Sequence, residues 1–241
     1  MPPGDVVVAL RGVRKDYHGL RPLRIEQFEL REGESVALLG LDRAAAEVLV
    51  NLITAATLPD AGEVEVFGAS TRAIADPDTW LRALDHFGIL SERAVLVDEL
   101  TVEQNLALPL SFEVDEMRAE LRDQVRQLAD EAGIASGELG QPMGGAGPTV
   151  RTRVRFGKAL ALGPRVLLAE HPNAALPPSD VARFASDVST VASRRRLALL
   201  VMTADAAFAG AVCRRVLTLR PATGELAAAS GWRTWLPRWR R

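Results

Sequence analysis

An α/β fold with a mainly parallel sheet, an N-terminal antiparallel β-subdomain and a helical subdomain is the architecture this sequence predicts. Three observations lead there. Short apolar runs, Val36 to Leu39 and Val166 to Ala169 among them, alternate with segments of helix length. Such runs mark strands buried on both faces, which helices must cover. Between roughly 90 and 160 the apolar spacing turns helical, and Val6–Leu10 with Ile25–Leu30 form two strands around an exposed turn carrying His18, Gly19 and Pro22.

Taken in order, Glu32-Gly33-Glu34 is a turn into the strand Ser35–Leu39, and Val48–Ala56 reads as a helix. Pro59-Asp60-Ala61-Gly62 turns the chain into the alternating strand Glu63–Phe67. A polar helix spans Asp76–Leu84, then a strand covers Phe87–Leu90. Thr101–Leu108 and Glu116–Ala132 are helices, the second placing Met117, Leu121, Val125 and Leu128 on one side. Gly133 to Pro148 is glycine-rich and breaks regularity, after which Thr149 is expected to cap a helix to about Leu162. A strand at Arg165–Ala169, a helix at Asp180–Ser193 and strands at Leu197–Thr203 and Val216–Arg220 complete the pattern. The expected division is a domain over 1–226, with the helical subdomain at about 91–162, and a Trp/Arg-rich tail over 227–241.

Composition narrows the function. A net charge of -2 gives no general attraction for nucleic acid, and positive charge is almost all arginine, the only lysines being Lys15 and Lys158. The single cysteine, Cys213, excludes an internal disulfide and fits a reducing compartment, with packing as its expected role. No apolar run reaches the ~18 residues of a membrane span, so a cytoplasmic protein is expected, reaching a membrane only through a partner or a surface.

One stretch carries most of the functional information. Gly40-Leu41-Asp42-Arg43-Ala44-Ala45-Ala46-Glu47 follows a buried strand and precedes a helix, the setting of a phosphate loop of the pattern G-x-x-x-x-G-K-[ST]. Here the second glycine is Ala45, the lysine Ala46 and the hydroxyl residue Glu47. Neither lysine is near. The setting is kept and the phosphate-binding residue types are replaced.

The wider text resembles the ATPase subunit of an ATP-binding cassette (ABC) transporter over about Val6 to Leu226. Four blocks carry the resemblance: Gly33–Gly40, Pro59–Val64 followed by Phe67-Gly68, Leu100–Leu106, and Ala159–Leu168. The resemblance implies a P-loop NTPase-like core, ATP and Mg²⁺ as cofactors, a membrane permease as partner and a homodimer or heterodimer of cassettes. It implies peripheral attachment to the inner face of the membrane and no nucleic-acid partner. It also places the family's functional positions: the lysine on Ala46, the Mg²⁺-binding hydroxyl on Glu47 and the γ-phosphate-sensing glutamine on Glu92. The signature falls on Ala146-Gly147-Pro148-Thr149, or with an insertion on Met143-Gly144-Gly145. The Mg²⁺-organising aspartate falls on Glu170, the water-polarising glutamate on His171, a later aspartate on Pro177, the switch histidine on Ala204 and the adenine-stacking aromatic on Tyr17.

The substituted residues carry physical expectations. A run of alanines favours helix, so the helix after Gly40 should start early, with Asp42 as its N-cap taking donors that a phosphate would use. Glu47 adds negative charge beside any triphosphate. Arg43 either replaces the missing lysine or is solvated in the first helical turn. Glu170 and His171 either bind Mg²⁺ through water and act as a base, or form a polar strand end facing the cleft. Glu92 either binds a basic group at the subdomain hinge or is solvated, and Tyr17 either stacks on a base or covers the sheet edge. The tail from Trp232 to Arg241 suits a membrane interface, a partner groove or packing on its own domain. Three functions are consistent with this reading: a non-hydrolysing cassette subunit docking a permease around Glu92–Ser111, a working ATPase with unorthodox residues, and a soluble regulatory or scaffold protein on the same fold.

Overall fold

Backbone pairing begins with β1 (Val6–Lys15) and β2 (Leu23–Arg31), which run antiparallel with Leu10 opposite Phe28 and Val13 opposite Ile25. The protein was studied as a computed structural model, which describes residues 4–74 and 76–229. β3 (Ser35–Leu39) leads through Gly40 into α1 (Arg43–Ile53), and β4 (Ala61–Val66) with β5 (Ala69–Ser70) returns to β1. Then come α2 (Pro77–Leu84), β6 (Phe87–Leu90), α3 (Val102–Ala107), α4 (Ala119–Ala132) and α5 (Pro148–Leu160). The chain ends its described part with β7 (Val166–Glu170), α6 (Pro178–Arg195), β8 (Ala198–Met202), α7 (Ala206–Val212), β9 (Arg215–Leu219) and β10 (Leu226–Ala228).

Two sheets result. The smaller is antiparallel in the order β2-β1-β4-β5; the larger has the order β10-β9-β3-β8-β7-β6 and is parallel except for β10. Because side chains alternate along a strand, each central strand serves two cores. Val36, Leu38, Val166, Leu168, Leu200 and Met202 pack toward α1 and the antiparallel sheet. Ala37, Leu167, Ala169, Leu199 and Val201 pack toward α3 to α7. That double burial is why these strands read as unbroken apolar runs.

The helical layer is tied together by one buried charge. Arg153 on α5, 5% exposed, donates Nη1 to the Ala132 carbonyl at 2.6 Å and to Asp187 of α6 at 2.7 Å. A Cβ at Gly133 would stand 2.1 Å from that nitrogen, and Gly133 closes α4 in the left-handed conformation (φ 71°).

Several sequence expectations need correction. The helix expected at Val48–Ala56 occupies Arg43–Ile53, and Ala55 at φ 57° lies beyond its end. Thr149 does not cap α5: Gly147 is the N-cap without a side-chain bond, Pro148 takes the first turn, and the Thr149 hydroxyl bonds Asp180 instead. Proline suits that position because its missing N–H has no helical partner there. The helix α7 and strand β10 were not anticipated, since one is a short alanine-rich segment and the other is set by pairing to β9. β10 runs across the division expected at residue 226. The Trp232–Arg241 tail lies outside the described residues.

Candidate functional site

The residues singled out around Gly40 gather where the parallel strands β3, β6 and β7 end. Gly40 adopts φ 92°, and a Cβ there would come within 3.0 Å of the Leu219 carbonyl, so glycine is needed for the exit from β3. Asp42 follows in extended backbone and caps α1, its Oδ1 accepting from Ala45 N at 2.7 Å while its carbonyl accepts from Ala46 N at 2.9 Å. The early helix start expected from the alanine run is what the structure has. Its consequence is rotational. Ala45 and Ala46 turn into the core at 6% and 0% exposure, while Arg43, Ala44 and Glu47 remain toward solvent or the cleft.

The chain leaving β6 crosses this helix start as Ser91-Glu92-Arg93 and completes a charged cluster. Arg43 Nη1 donates to Glu92 Oε2 at 2.7 Å, with the two side chains 70% and 34% exposed. Glu92 thus binds a basic group, and Arg43 is paired to it rather than merely solvated. Arg93 reaches the end of β7 and grips Glu170 with both sides of its guanidinium. Nε donates to Oε2 at 3.2 Å and Nη2 to Oε1 at 2.5 Å. The Ser91 hydroxyl adds a bond to Glu170 Oε2 at 2.9 Å, and Arg93 Nη1 reaches Glu47 at 3.0 Å. Glu170 is only 7% exposed. A carboxylate so buried needs a partner of opposite charge and full hydrogen bonding, and the planar guanidinium supplies two parallel donors. Donation to the Glu170 carboxylate raises the Arg93 pKa, against the opposing effect of burial.

His171 continues from β7 with φ 42°, donating its backbone N–H to the Met202 carbonyl at 2.7 Å. Its Nε2 is buried without a hydrogen-bond partner. Together Arg43, Glu47, Ser91, Glu92, Arg93, Glu170 and His171 line a cleft of about 200 Å³. Two arginines face three glutamates there. Glu170 and His171 both line this cleft at the end of β7.

A second cavity of about 360 Å³ lies on the other side of the helix start, between Tyr17, Pro22 and Leu23 on one wall and Gly40, Leu41, Asp42 and Ala45 on the other. Tyr17 also packs against the core beneath the antiparallel sheet, and burial followed by the nearby Asp42 charge raises its pKa. Ala204 is exposed in the turn between β8 and α7, where Asn173, Thr203 and Asp205 hydrogen-bond one another. Gly147, Gly144 and Gly145 are exposed ahead of α5, and Met143 is buried. These last residues do not line the charged cleft.

Sequence reasoning missed Arg93 and Ser91, which contribute most of the bonds to Glu170. It gave no role to Asn105 either. This fully buried side chain accepts from Val97 N at 2.8 Å and donates to the Val97 and Thr101 carbonyls, shaping the loop that follows Arg93. Among the described residues, no group of three or more His, Cys, Asp or Glu is arranged to hold a metal ion. None of their helices is long and apolar enough to cross a membrane.

Comparison with known proteins places this geometry in a family. A family model described as ABC transporter matches residues 23–174. The chain belongs to the ABC transporter family. It is 28% identical over 215 residues to the lipoprotein-releasing system ATP-binding protein LolD of Nitrobacter hamburgensis, covering 87% of this chain and 91% of that one. It is 28% identical over 176 residues to the macrolide export ATP-binding/permease protein MacB of Rhodopseudomonas palustris, covering 70% of this chain but spanning only 26% of that protein's length. The fold is that of a solved dimeric bacterial ABC transporter cassette, with a TM-score of 0.75, 21% identity and coverage of 93% and 100% of the two chains.

Proposed function

We propose that this chain is the cassette subunit of an ABC transport complex, that it docks a membrane permease from the cytoplasmic side, and that it does not hydrolyse ATP. The observation that carries the last part is the Arg93–Glu170–Glu47 cluster with its Arg43–Glu92 neighbour. On this reading the residues do not fit a magnesium triphosphate. The Ala45 N–H is already held by Asp42, so a phosphate would have to displace a carboxylate. Ala46, at the position the family resemblance gives to lysine, is buried in the core. Each arginine of the cleft is paired with a carboxylate, and a single uncompensated negative charge a few ångströms from a phosphate costs about 1–4 kcal/mol at intermediate dielectric.

Permease docking is supported by the helical layer. Val95, within the Glu92–Ser111 segment, is 73% exposed and Phe112, directly after it, 92% exposed, on either side of α3. Large apolar side chains so open to solvent favour a protein contact. Pairing of two cassettes, with a second copy or with a different subunit, is supported by the dimeric state of the solved cassette. In such a pair the exposed turn Ala146–Thr149, carrying Gly147, would face the partner's cleft.

A working ATPase is the second reading, favoured by the relatives, which are named as ATP-binding proteins. One experiment separates them. Purified protein titrated with ATP and Mg²⁺, alone and with a membrane permease co-expressed from the same genome, should show no saturable nucleotide binding and no phosphate release, yet should co-purify with that permease in detergent. Micromolar Mg²⁺-dependent binding with turnover would establish the ATPase instead. Failure to associate with any such permease would leave a soluble regulatory role.

A further inference from the structure

Both oxygens of Glu170 and one oxygen of Glu47 converge on a single positive group, the Arg93 guanidinium, while the Ser91 hydroxyl donates to Glu170 Oε2 beside it. Hard oxygen donors of this kind, two carboxylates from separate elements, are what a small divalent cation also attracts. We infer that Arg93 is a built-in cation: reaching in from the exit of β6, it occupies the place where α1 and the end of β7 would otherwise need a metal ion to neutralise their converging carboxylates.

The geometry separates this role from that of an ordinary surface ion pair. Glu170 is 7% exposed while Arg93 is 46% exposed, so the acid is fixed within the fold and the arginine reaches in to it from the cleft. Exposed pairs are usually worth little, but a buried carboxylate stripped of its partner is not. Arg93 joins three elements, leaving β6 and pairing with Glu47 of α1 and Glu170 of β7. With the guanidinium in place their relative positions do not depend on any ligand. Arg43 reinforces the arrangement from the same helix start by holding Glu92, the residue next to Arg93.

This inference rests on the reading that no metal-bound nucleotide works at the cleft, and its test is chosen so that the two can fail separately. The full-length protein and its R93A, R93K and R93A/E170Q variants are followed by thermal melting and by Mn²⁺ titration without nucleotide, read by electron paramagnetic resonance. Wild type should bind no Mn²⁺ and show no stabilisation by it. R93A should melt on the order of 5–10 °C lower, and both millimolar Mn²⁺ and low concentrations of guanidinium ion should restore part of that loss. R93A should also acquire weak Mn²⁺ binding. R93K, which keeps one charge but not the fork, should fall between and bind no Mn²⁺. R93A/E170Q should gain nothing from either cation, because the buried negative charge is gone.

If R93A does not fold unaided, recovery of the fold in Mn²⁺ or guanidinium supports the assignment, and a collapse that neither rescues overturns it. A wild-type chain that binds Mn²⁺ at this cleft overturns it too. So does an R93A that melts like wild type and ignores both cations, an outcome that leaves the proposed absence of hydrolysis standing. ATP turnover by the wild-type chain, by contrast, removes the functional reading whatever Arg93 does.

Discussion

At the position of Ala46 a lysine would have to point into the core. Ala46 is fully buried against Leu49, Val50 and their neighbours because α1 starts at Arg43 under the Asp42 cap. Ala46→Lys should therefore destabilise the protein by several kcal/mol, since an isolated ammonium placed in an apolar core costs more than most cores tolerate. Urea unfolding checks this, and the variant should gain no affinity for ATP. Cys213 behaves as a packed hydrophobe at 6% exposure, and burial pushes its thiol up to about 12. The neutral thiol is the form the fold favours. Its contribution is present in full below about 9, the ordinary thiol value, and is lost as the pH rises toward 12. At pH 8 a thiol reagent should label the native chain far more slowly than the urea-unfolded chain, and equal rates would contradict the burial.

Packing between elements decides where the cleft residues stand. β6 lies against the end of α5 so closely that a Cβ at Gly88 would be 2.1 Å from the Ala159 carbonyl and 3.0 Å from a Pro164 ring carbon. Gly88→Ala should cost about 1–3 kcal/mol through overpacking. It should also shift the Ser91–Arg93 segment that follows the strand. Equilibrium denaturation measures the first effect, and a lower melting temperature that R93A no longer worsens would reveal the second. Asn105 does related work from α3, holding the loop between Val97 and Thr101 through its side-chain amide. Part of this was readable in the chain itself. The Thr101 cap and its reciprocal Gln104 bond belong to a local motif, and Asp42 before three alanines announces its helix. The expected end of that helix at Ala56 was less secure, because Thr54 and Ala55 leave helical geometry without a glycine or proline to signal it.

For the whole molecule, the decisive test is linkage. A ligand that binds the native state at a hundred times its Kd raises stability by about 2.7 kcal/mol. Saturating ATP with Mg²⁺ should leave the melting temperature of this chain unchanged, where a nucleotide-binding cassette would shift upward. The alternation of strands and helices was legible throughout, because double burial makes parallel strands apolar end to end and so visible as runs. In the antiparallel sheet the alternating strand Glu63–Phe67 and the apolar run Val6–Leu10 were legible as strands, while their pairing was not. The charged cleft was legible only in halves. Glu92, Glu170, His171 and Arg43 were singled out, but Arg93, their main partner, was not, since it pairs with residues 46 and 77 positions away. No local pattern carries such a pairing.

The residue types alone determined that this chain builds two sheets around α1, that the helix after Gly40 begins early, and that no lysine stands in the loop before it. Those outcomes follow from propensity, capping and period, which act between near neighbours along the chain. Only the tertiary structure decided that Ala46 faces the core, that Glu170 is buried, and that Arg93 reaches across from the exit of β6 to neutralise it. Each of those depends on which distant segments meet at the strand ends, and burial of a charge is a property of that meeting rather than of any stretch of sequence.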